Sequence, residues 1–179
     1  MGYSAKAVAN YFLSNYGKHG ISPLKLQKLV YVAHGWYMAF HEDPLIGDEY
    51  AEAWRHGPVF PSLYHEFKHR GSLRITELAK EVELVSGMLR RSTPGIPKSD
   101  VETRELLDKI WDVYGEYSAI QLSNMCHQAG SPWDQTRKSN PKNANNADID
   151  DELIRKHYQR VRAKNRANRL RAEDQRKRG

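Results

Sequence analysis

The sequence predicts a mainly α, compact single-domain fold that leaves room for a small antiparallel β element around residues 50–76. The main observation is an apolar stripe between residues 26 and 40 that has the 3.6-residue spacing of a helix. Signals that begin and end helices recur along the chain, and there is no internal repeat or heptad array. The stripe consists of Leu26, Leu29, Val30, Ala33, Tyr37 and Phe40, and Lys25 and Lys28 fall off it, facing solvent or a partner.

Length and composition fit one domain with an appendage. A chain of 179 residues is long enough to bury a sizeable core, since a domain of roughly 150 residues hides about 70% of its unfolded surface. The mean hydropathy of -0.79 is low, so we expect the core to be concentrated in part of the chain. The single cysteine, Cys126, fits a reducing compartment, and the N-terminus does not resemble a signal peptide. We therefore expect a cytoplasmic protein with no membrane partner.

Cap residues place the first two helices. Ser4 is positioned to cap a helix that runs to about Asn15. Ser22 followed by Pro23 is typical of a second helix start, because serine caps the helix and proline has the φ of the first helical position. Asp43-Pro44 closes this second helix, which we expect to be the most buried.

The periodicity changes after the second helix. Residues 50–54 alternate in polarity, which indicates a short strand, and Gly57-Pro58 is expected to form the turn that follows. Pro61 then opens another helix. Residues 73–75 have the composition of a second strand that would pair with the first, whereas residues 75–87 are ambiguous between helix and strand.

The second half of the chain is expected to be helical. A helix is predicted over 101–114, and Ser118 with Gln121 has the spacing of a capping box that opens the next helix. Gly130 and Pro132 are expected to end that helix, and residues 140–146 to form an exposed loop. The acidic residues at 148–151 favour the start of a last helix, since carboxylates stabilise a helix N-terminus.

The segment 65–69 matches H-E-x-x-H, the spacing that places two imidazoles on one helix face to bind zinc, with a glutamate as general base. A zinc hydrolase would use His65, Glu66 and His69 in these roles. However, a helical wheel places both histidines opposite the apolar Leu63 and Phe67, and no nearby pattern supplies a third ligand. The sequence therefore favours a solvated polar face over a metal site.

No other motif indicates catalysis. Cys126 lies beside His127, but adjacent helical residues point about 100° apart and Cys126 fits an apolar stripe, so a buried structural cysteine is favoured. The sequence contains no G-x-S-x-G elbow, Walker A loop or Rossmann glycine pattern. It therefore predicts a protein that is not an enzyme and that needs no cofactor.

The positive charge is concentrated at the C-terminus. The chain carries a net charge of +6, and residues 160–179 alone carry +7, which leaves the body near neutrality. We therefore divide the chain into a domain over 1–160 and a basic tail over 161–179 that is helical or disordered. The tail suggests nucleic-acid binding as an alternative function. Stacking on single strands is poorly supported, because only Tyr158 lies among the basic residues.

Three blocks of sequence resemble the Panacea domain, the family of phage-associated GepA-like and SocA-like proteins. The blocks are LKLQKLVYVAHGW at 24–36, DEYAEAWRHGPVFPSLYHEFK at 48–68 and HQAGSPWDQTR at 127–137. Their order makes the resemblance more specific than any single motif, and the AWRHGPV segment is its strongest part. The resemblance covers about residues 4–160 and leaves out the basic tail.

The resemblance implies an antitoxin of a toxin-antitoxin system, a protein typically encoded beside a toxin that it neutralises by direct binding. The SocA-like branch implies an alternative, a proteolytic adaptor that presents the toxin to a ClpXP-type protease. The family has no catalytic residue to carry over. Positions that match the family, and that define either its fold or a surface for the partner, are Lys25, Lys28, Trp36, Trp54, Arg55, Gly57, Pro58, Tyr64, Pro132 and Trp133.

Overall fold

The protein is mainly α-helical, as the sequence predicts. A computed structural model describes residues 2–178, with the side chains of residues 83, 174, 177 and 178 left aside. The helices of this part are α1 Ala5–Tyr16, α2 Pro23–Phe40, α3 Pro61–Phe67, α4 Val101–Tyr114, α5 Ala119–Cys126, α6 Pro132–Ser139 and α7 Asp151–Arg178. The strands β1 Glu52–Trp54, β2 Gly57–Val59, β3 Glu81–Val85 and β4 Met88–Ser92 form two antiparallel hairpins.

Helix α2 lies at the centre of the fold. Ser22 accepts a hydrogen bond from the backbone N–H of Lys25, and Pro23 occupies the first turn, which confirms the predicted helix start. Every residue from 26 to 35 is buried, because α1, α3, α4, α5, α7 and β2 surround the helix. The predicted stripe therefore covers only part of its buried surface. Phe40, at the end of that stripe, lies outside the core, since it is 51% exposed.

The first hairpin joins β1 to β2 through a two-residue turn. Trp54 pairs with Gly57, and Arg55 and His56 form the turn between them. The prediction of a small β element in this region is confirmed, but Gly57-Pro58 begins the second strand and does not form the turn. The expected strand at residues 73–75 is absent from the described chain, because β1 pairs with its immediate neighbour.

The second hairpin, β3 and β4, resolves the ambiguous region after residue 75. Val85 pairs with Met88, and the turn between them consists of Ser86 at φ 52° and Gly87 at φ 79°. Two successive residues with positive φ are the feature of the hairpin turn whose twist matches that of the flanking strands. The region from 81 to 92 is therefore β and not helical.

Helix α6 was not predicted from the sequence, which assigned Pro132 to the end of α5. Ser131 accepts a hydrogen bond from the backbone N–H of Asp134 at 3.2 Å, and Pro132 occupies the first turn. This is the same serine-proline start that opens α2. The capping box between Ser118 and Gln121 at the start of α5 is confirmed.

Helix α7 runs without interruption across residue 161, where the predicted basic tail begins. Its first turns pack against α2, with Ile154 and Tyr158 buried, while the described side chains from residue 162 onward are exposed. The Tyr158 ring lies directly on Gly35 of α2. Across residues 2–178, none of the helices combines the length with the apolar character that crossing a membrane requires.

Candidate interaction site

The three sequence blocks that carry the family resemblance meet at the β1–β2 hairpin. The second block forms the hairpin, the first contributes side chains of α2 that lie beneath it, and the third contributes residues from the end of α5 and from α6. We call this assembly the hairpin platform, comprising residues 52–60 and the side chains of Gln27, Lys28, His127, Trp133 and Arg137.

Gln27 joins α2 to the end of the hairpin through a reciprocal pair of hydrogen bonds. Its side-chain Nε2 donates to the carbonyl of Phe60 at 3.0 Å, and the backbone N–H of Phe60 donates to its Oε1 at the same distance. Both groups are buried, so this pair satisfies backbone atoms that would otherwise be costly to leave without partners.

Lys28 is fully buried beneath the hairpin, so the interpretation that it faces solvent or a partner is wrong. Its Nζ donates to the carbonyl of Pro58 at 2.8 Å. Burial lowers the pKa of the Lys28 ammonium to about 8, although the neighbouring Cys126 thiol acts in the opposite direction. A helical wheel of α2 alone does not predict the burial of Lys28. The wheel places Lys28 on the side of the helix that lacks apolar residues, but β2 covers that side in the folded protein.

Gly57 allows the hairpin to approach Lys28 closely. Its φ is 102°, in the region that favours glycine. A Cβ at this position would lie 2.8 Å from Lys28 Nζ and 2.9 Å from His127 Nε2. The glycine is therefore required both by the backbone conformation and by the side chains that pack against it.

The third block holds the opposite side of the hairpin. The Nε1–H of Trp133 donates to the carbonyl of Trp54 at 2.7 Å, and Arg137 Nη1 donates to the carbonyl of Ala53 at the same distance. The Trp133 ring contacts two neighbours: the His127 ring is tilted by 41° with its centroid 4.3 Å away, and the Arg137 guanidinium lies over the Trp133 ring at 5.1 Å. The hairpin is thus fixed from two sides.

The surroundings of Cys126 and His127 do not activate the cysteine as a nucleophile. Burial raises the pKa of the Cys126 thiol to about 11, so the thiolate needed for a nucleophile is disfavoured. Burial, followed by the positive charge of Lys28, lowers the pKa of His127, which favours the neutral imidazole. The prediction of a buried structural cysteine is confirmed.

An apolar groove runs along the outer side of the platform, between the hairpin, α3 and the first turn of α2. This hairpin groove has a volume of about 510 Å³. Trp54 and Tyr64 form its aromatic part, with ring centroids 4.7 Å apart in an edge-to-face arrangement. Tyr64 is 40% exposed, and Arg55 and Lys68 place two cations at the rim. The groove thus combines accessible aromatic surface with positive charge.

Three of the predicted residues lie outside both the hairpin platform and the hairpin groove. Lys25 donates to the carbonyl of Gly115 and lies 5.3 Å above the Trp111 ring, so it braces α2 against α4. Trp36 donates from Nε1 to the hydroxyl of Tyr114 at 2.9 Å. Pro132 is buried at the start of α6. These positions hold the fold together at other points.

The H-E-x-x-H segment does not form one helical face. Helix α3 ends at Phe67, and a 3₁₀ turn over Lys68–Arg70 carries His69 away from the helix. Glu66 forms a salt bridge with Lys6 at 2.7 Å, and His69 Nε2 lies 3.1 Å from Glu77 Oε1. Among the side chains that the structure describes, no group of three or more His, Cys, Asp or Glu residues is arranged to hold a metal ion.

Two residues of the platform, Gln27 and Arg137, were not singled out from the sequence although both lie within the quoted blocks. Gln27 is a polar residue in a long apolar run, and Arg137 lies four residues after Trp133 on one helix face. A polar side chain in such a position is a signal for pairing with buried backbone.

The burial of Lys28 should make the free energy of unfolding depend on pH. Because the folded pKa of about 8 lies below the ordinary 10.5, the unfolded chain binds the proton more tightly than the folded chain. The full free-energy cost of burying the charged ammonium is therefore present below pH 8, and it disappears as the pH rises towards 10.5. We expect the wild type to gain about 3 kcal/mol relative to a Lys28→Met variant between pH 7 and pH 10.5.

Urea denaturation at a series of pH values measures this difference. Lys68→Met is the matched control, since Lys68 is an exposed lysine, and its difference from the wild type should stay constant. A pH-independent difference between the wild type and the Lys28→Met variant would mean that Lys28 is not buried as described.

Comparison with known proteins identifies the family. Residues 26–134 match the family described as "Antitoxin SocA-like, Panacea domain", a span that contains almost all of the hairpin platform. Antitoxin SocA from Caulobacter vibrioides (strain NA1000 / CB15N) is 36% identical over 132 residues, which cover 73% of this chain and 68% of that protein. No solved structure matches the chain. The chain belongs to the SocA-like antitoxin family with a Panacea domain.

Proposed function

We propose that this protein is an antitoxin that neutralises a protein toxin by direct binding at the hairpin groove. The observation that carries the proposal is the convergence of the three family blocks on one hairpin beside an accessible apolar groove. The similarity to antitoxin SocA supports the antitoxin role. The proposal requires no catalytic step.

The groove has the composition of a protein-binding surface. Trp, Tyr and Arg are the residues that most often dominate the binding energy of interfaces, and Trp54, Tyr64 and Arg55 lie together here. The hydrogen bonds of Lys28 and Trp133 fix the hairpin before binding, which reduces the entropy lost when a partner docks. The occupant we expect is an apolar segment of the toxin with acidic residues that face Arg55 and Lys68.

Growth rescue tests the proposal. The protein encoded by the adjacent gene is expressed as the candidate toxin, together with the wild type, a Tyr64→Ala variant or a Tyr50→Ala variant. We expect the wild type to restore growth and Tyr64→Ala to weaken the complex by roughly 30-fold, the effect of losing one hot-spot residue of about 2 kcal/mol. Tyr50→Ala is the matched control, since Tyr50 is an exposed tyrosine outside the groove.

The same assay in a strain without a ClpXP-type protease separates neutralisation by binding from delivery for degradation. Direct neutralisation predicts that rescue is unchanged, whereas an adaptor would lose it. A wild-type protein that neither restores growth nor copurifies with the candidate toxin would overturn the proposed function.

A further inference from the structure

A second groove lies between the C-terminal end of α2 and the exposed part of α7. This arginine groove has a volume of about 810 Å³ and is separate from the hairpin groove. Its walls come from two parts of the chain, residues 36–40 and 159–170, that are far apart in sequence. The side chains that matter for its chemistry are Trp36, Phe40, Arg162, Arg166, Arg169 and Leu170.

The groove carries positive charge that the described part of the protein does not neutralise. Arg162, Arg166 and Arg169 recur at helical spacing, so they form one stripe along α7. The salt bridges formed by described side chains on this helix join Asp151 to His34 and Glu152 to Arg155 and Lys156, and none extends to the stripe. Because residues 160–179 carry a net charge of +7, an anionic ligand is strongly favoured here.

The sequence of the basic tail contains no aromatic residues, but the fold brings aromatic side chains from α2 to its arginines. Phe40 is 51% exposed, and the Arg162 guanidinium lies 4.2 Å from its ring centroid. The Trp36 ring is 6.2 Å from Phe40, and the two ring planes differ by 29°. The objection that the basic tail lacks aromatic partners therefore does not apply to the folded protein.

From these observations we propose that the arginine groove binds single-stranded nucleic acid. Arginine binds phosphate with two parallel hydrogen bonds, and its planar group also stacks on flat rings. Exposed aromatic side chains give unpaired bases a surface on which to stack. Phosphates would lie against Arg166 and Arg169, and bases against Phe40 and the outer part of Trp36.

The shape of the site favours a single strand over other anions. A single strand fits into a concave groove and presents its base faces, whereas a duplex hides those faces. An acidic protein segment would pair with the arginines but would not supply flat rings at regular spacing. The inference is independent of the antitoxin proposal, because it uses a different groove and a different class of ligand.

Fluorescence anisotropy with a 5′-fluorescein-labelled oligonucleotide of twenty thymidines tests the site in the full-length protein. We expect binding in 50 mM NaCl that weakens steeply by 200 mM NaCl, as phosphate contacts require. The double variant Arg166→Gln/Arg169→Gln should weaken binding at least about tenfold and reduce the slope of log affinity against log salt by about 1.4, the value for two phosphate contacts on a single strand.

The matched control is Lys164→Gln/Arg171→Gln, which removes the same charge from the opposite side of α7 and should weaken binding less than about threefold. Phe40→Ala should weaken binding about fivefold or more through lost stacking. The circular dichroism melting curves of all these variants should match that of the wild type. Such a match distinguishes a loss of binding from a loss of folding.

Several results would overturn the proposal. Absence of binding at 50 mM NaCl would do so directly. Equal losses in the two double variants would show that only the overall charge of α7 matters. Tighter binding of the same oligonucleotide as a duplex with twenty deoxyadenosines, or of poly-glutamate, would assign the groove to a different partner.

Discussion

Gly57→Ala should lower the free energy of unfolding by about 3 kcal/mol or more. A non-glycine residue held at φ 102° is strained by about 1–3 kcal/mol. The new Cβ would also lie 2.8 Å from Lys28 Nζ and 2.9 Å from His127 Nε2, and forcing atoms into a packed core costs about 1–3 kcal/mol more. Urea denaturation followed by tryptophan fluorescence measures the loss.

Two glycines serve as controls that separate these effects. Gly130→Ala introduces a Cβ at φ 76° with no atom within 4 Å, so it should cost only about 1–2 kcal/mol for the backbone conformation. Gly17→Ala has ordinary helical backbone and open space, and should be neutral or slightly stabilising. If Gly57→Ala cost no more than Gly130→Ala, the close packing of the hairpin on Lys28 would be wrong.

Gly35→Ala should separate α7 from α2. A Cβ at Gly35 would lie 2.2 Å from the Tyr158 ring, and that ring is held by Tyr31 and Trp36, with centroids 6.4 Å and 5.5 Å away. Overpacking costs up to about 3 kcal/mol, so even after the gain of about 1 kcal/mol for alanine over glycine in a helix we expect a net loss of about 2 kcal/mol. The displaced α7 should also lose oligonucleotide binding, because Trp36 and Phe40 would no longer face its arginines.

A double-mutant cycle provides the control for this prediction. In a Tyr158→Leu background the ring is gone, so Gly35→Ala should cost little or stabilise the protein. Equal costs in the two backgrounds would contradict the contact between Gly35 and Tyr158.

Local sequence signals are sufficient to predict most helices of this protein. The helix starts at Ser22 and Ser118 are local signals, because the capping side chains bond to backbone groups of the same helix N-terminus. They therefore act without help from the rest of the fold. The same signal stands at Ser131-Pro132, where a proline that follows a capping serine begins α6.

The candidate sites could be predicted only in part, because they depend on contacts between distant segments. The family blocks identified Trp54, Tyr64 and Arg55, but a helical wheel for α2 could not show that β2 covers Lys28. Likewise, the sequence of the tail alone could not show that α2 places Phe40 beside Arg162. Both features arise from tertiary packing, which the periodicity within one helix or strand does not predict.

Direct toxin binding at the hairpin groove is tested best by mixing this protein with the purified product of the adjacent gene and measuring the complex by size-exclusion chromatography with light scattering. We predict a stable complex of defined stoichiometry that Tyr50→Ala preserves and Tyr64→Ala weakens or abolishes. Separate elution of the two wild-type proteins, or a complex that Tyr64→Ala leaves unchanged, would contradict toxin binding at this groove.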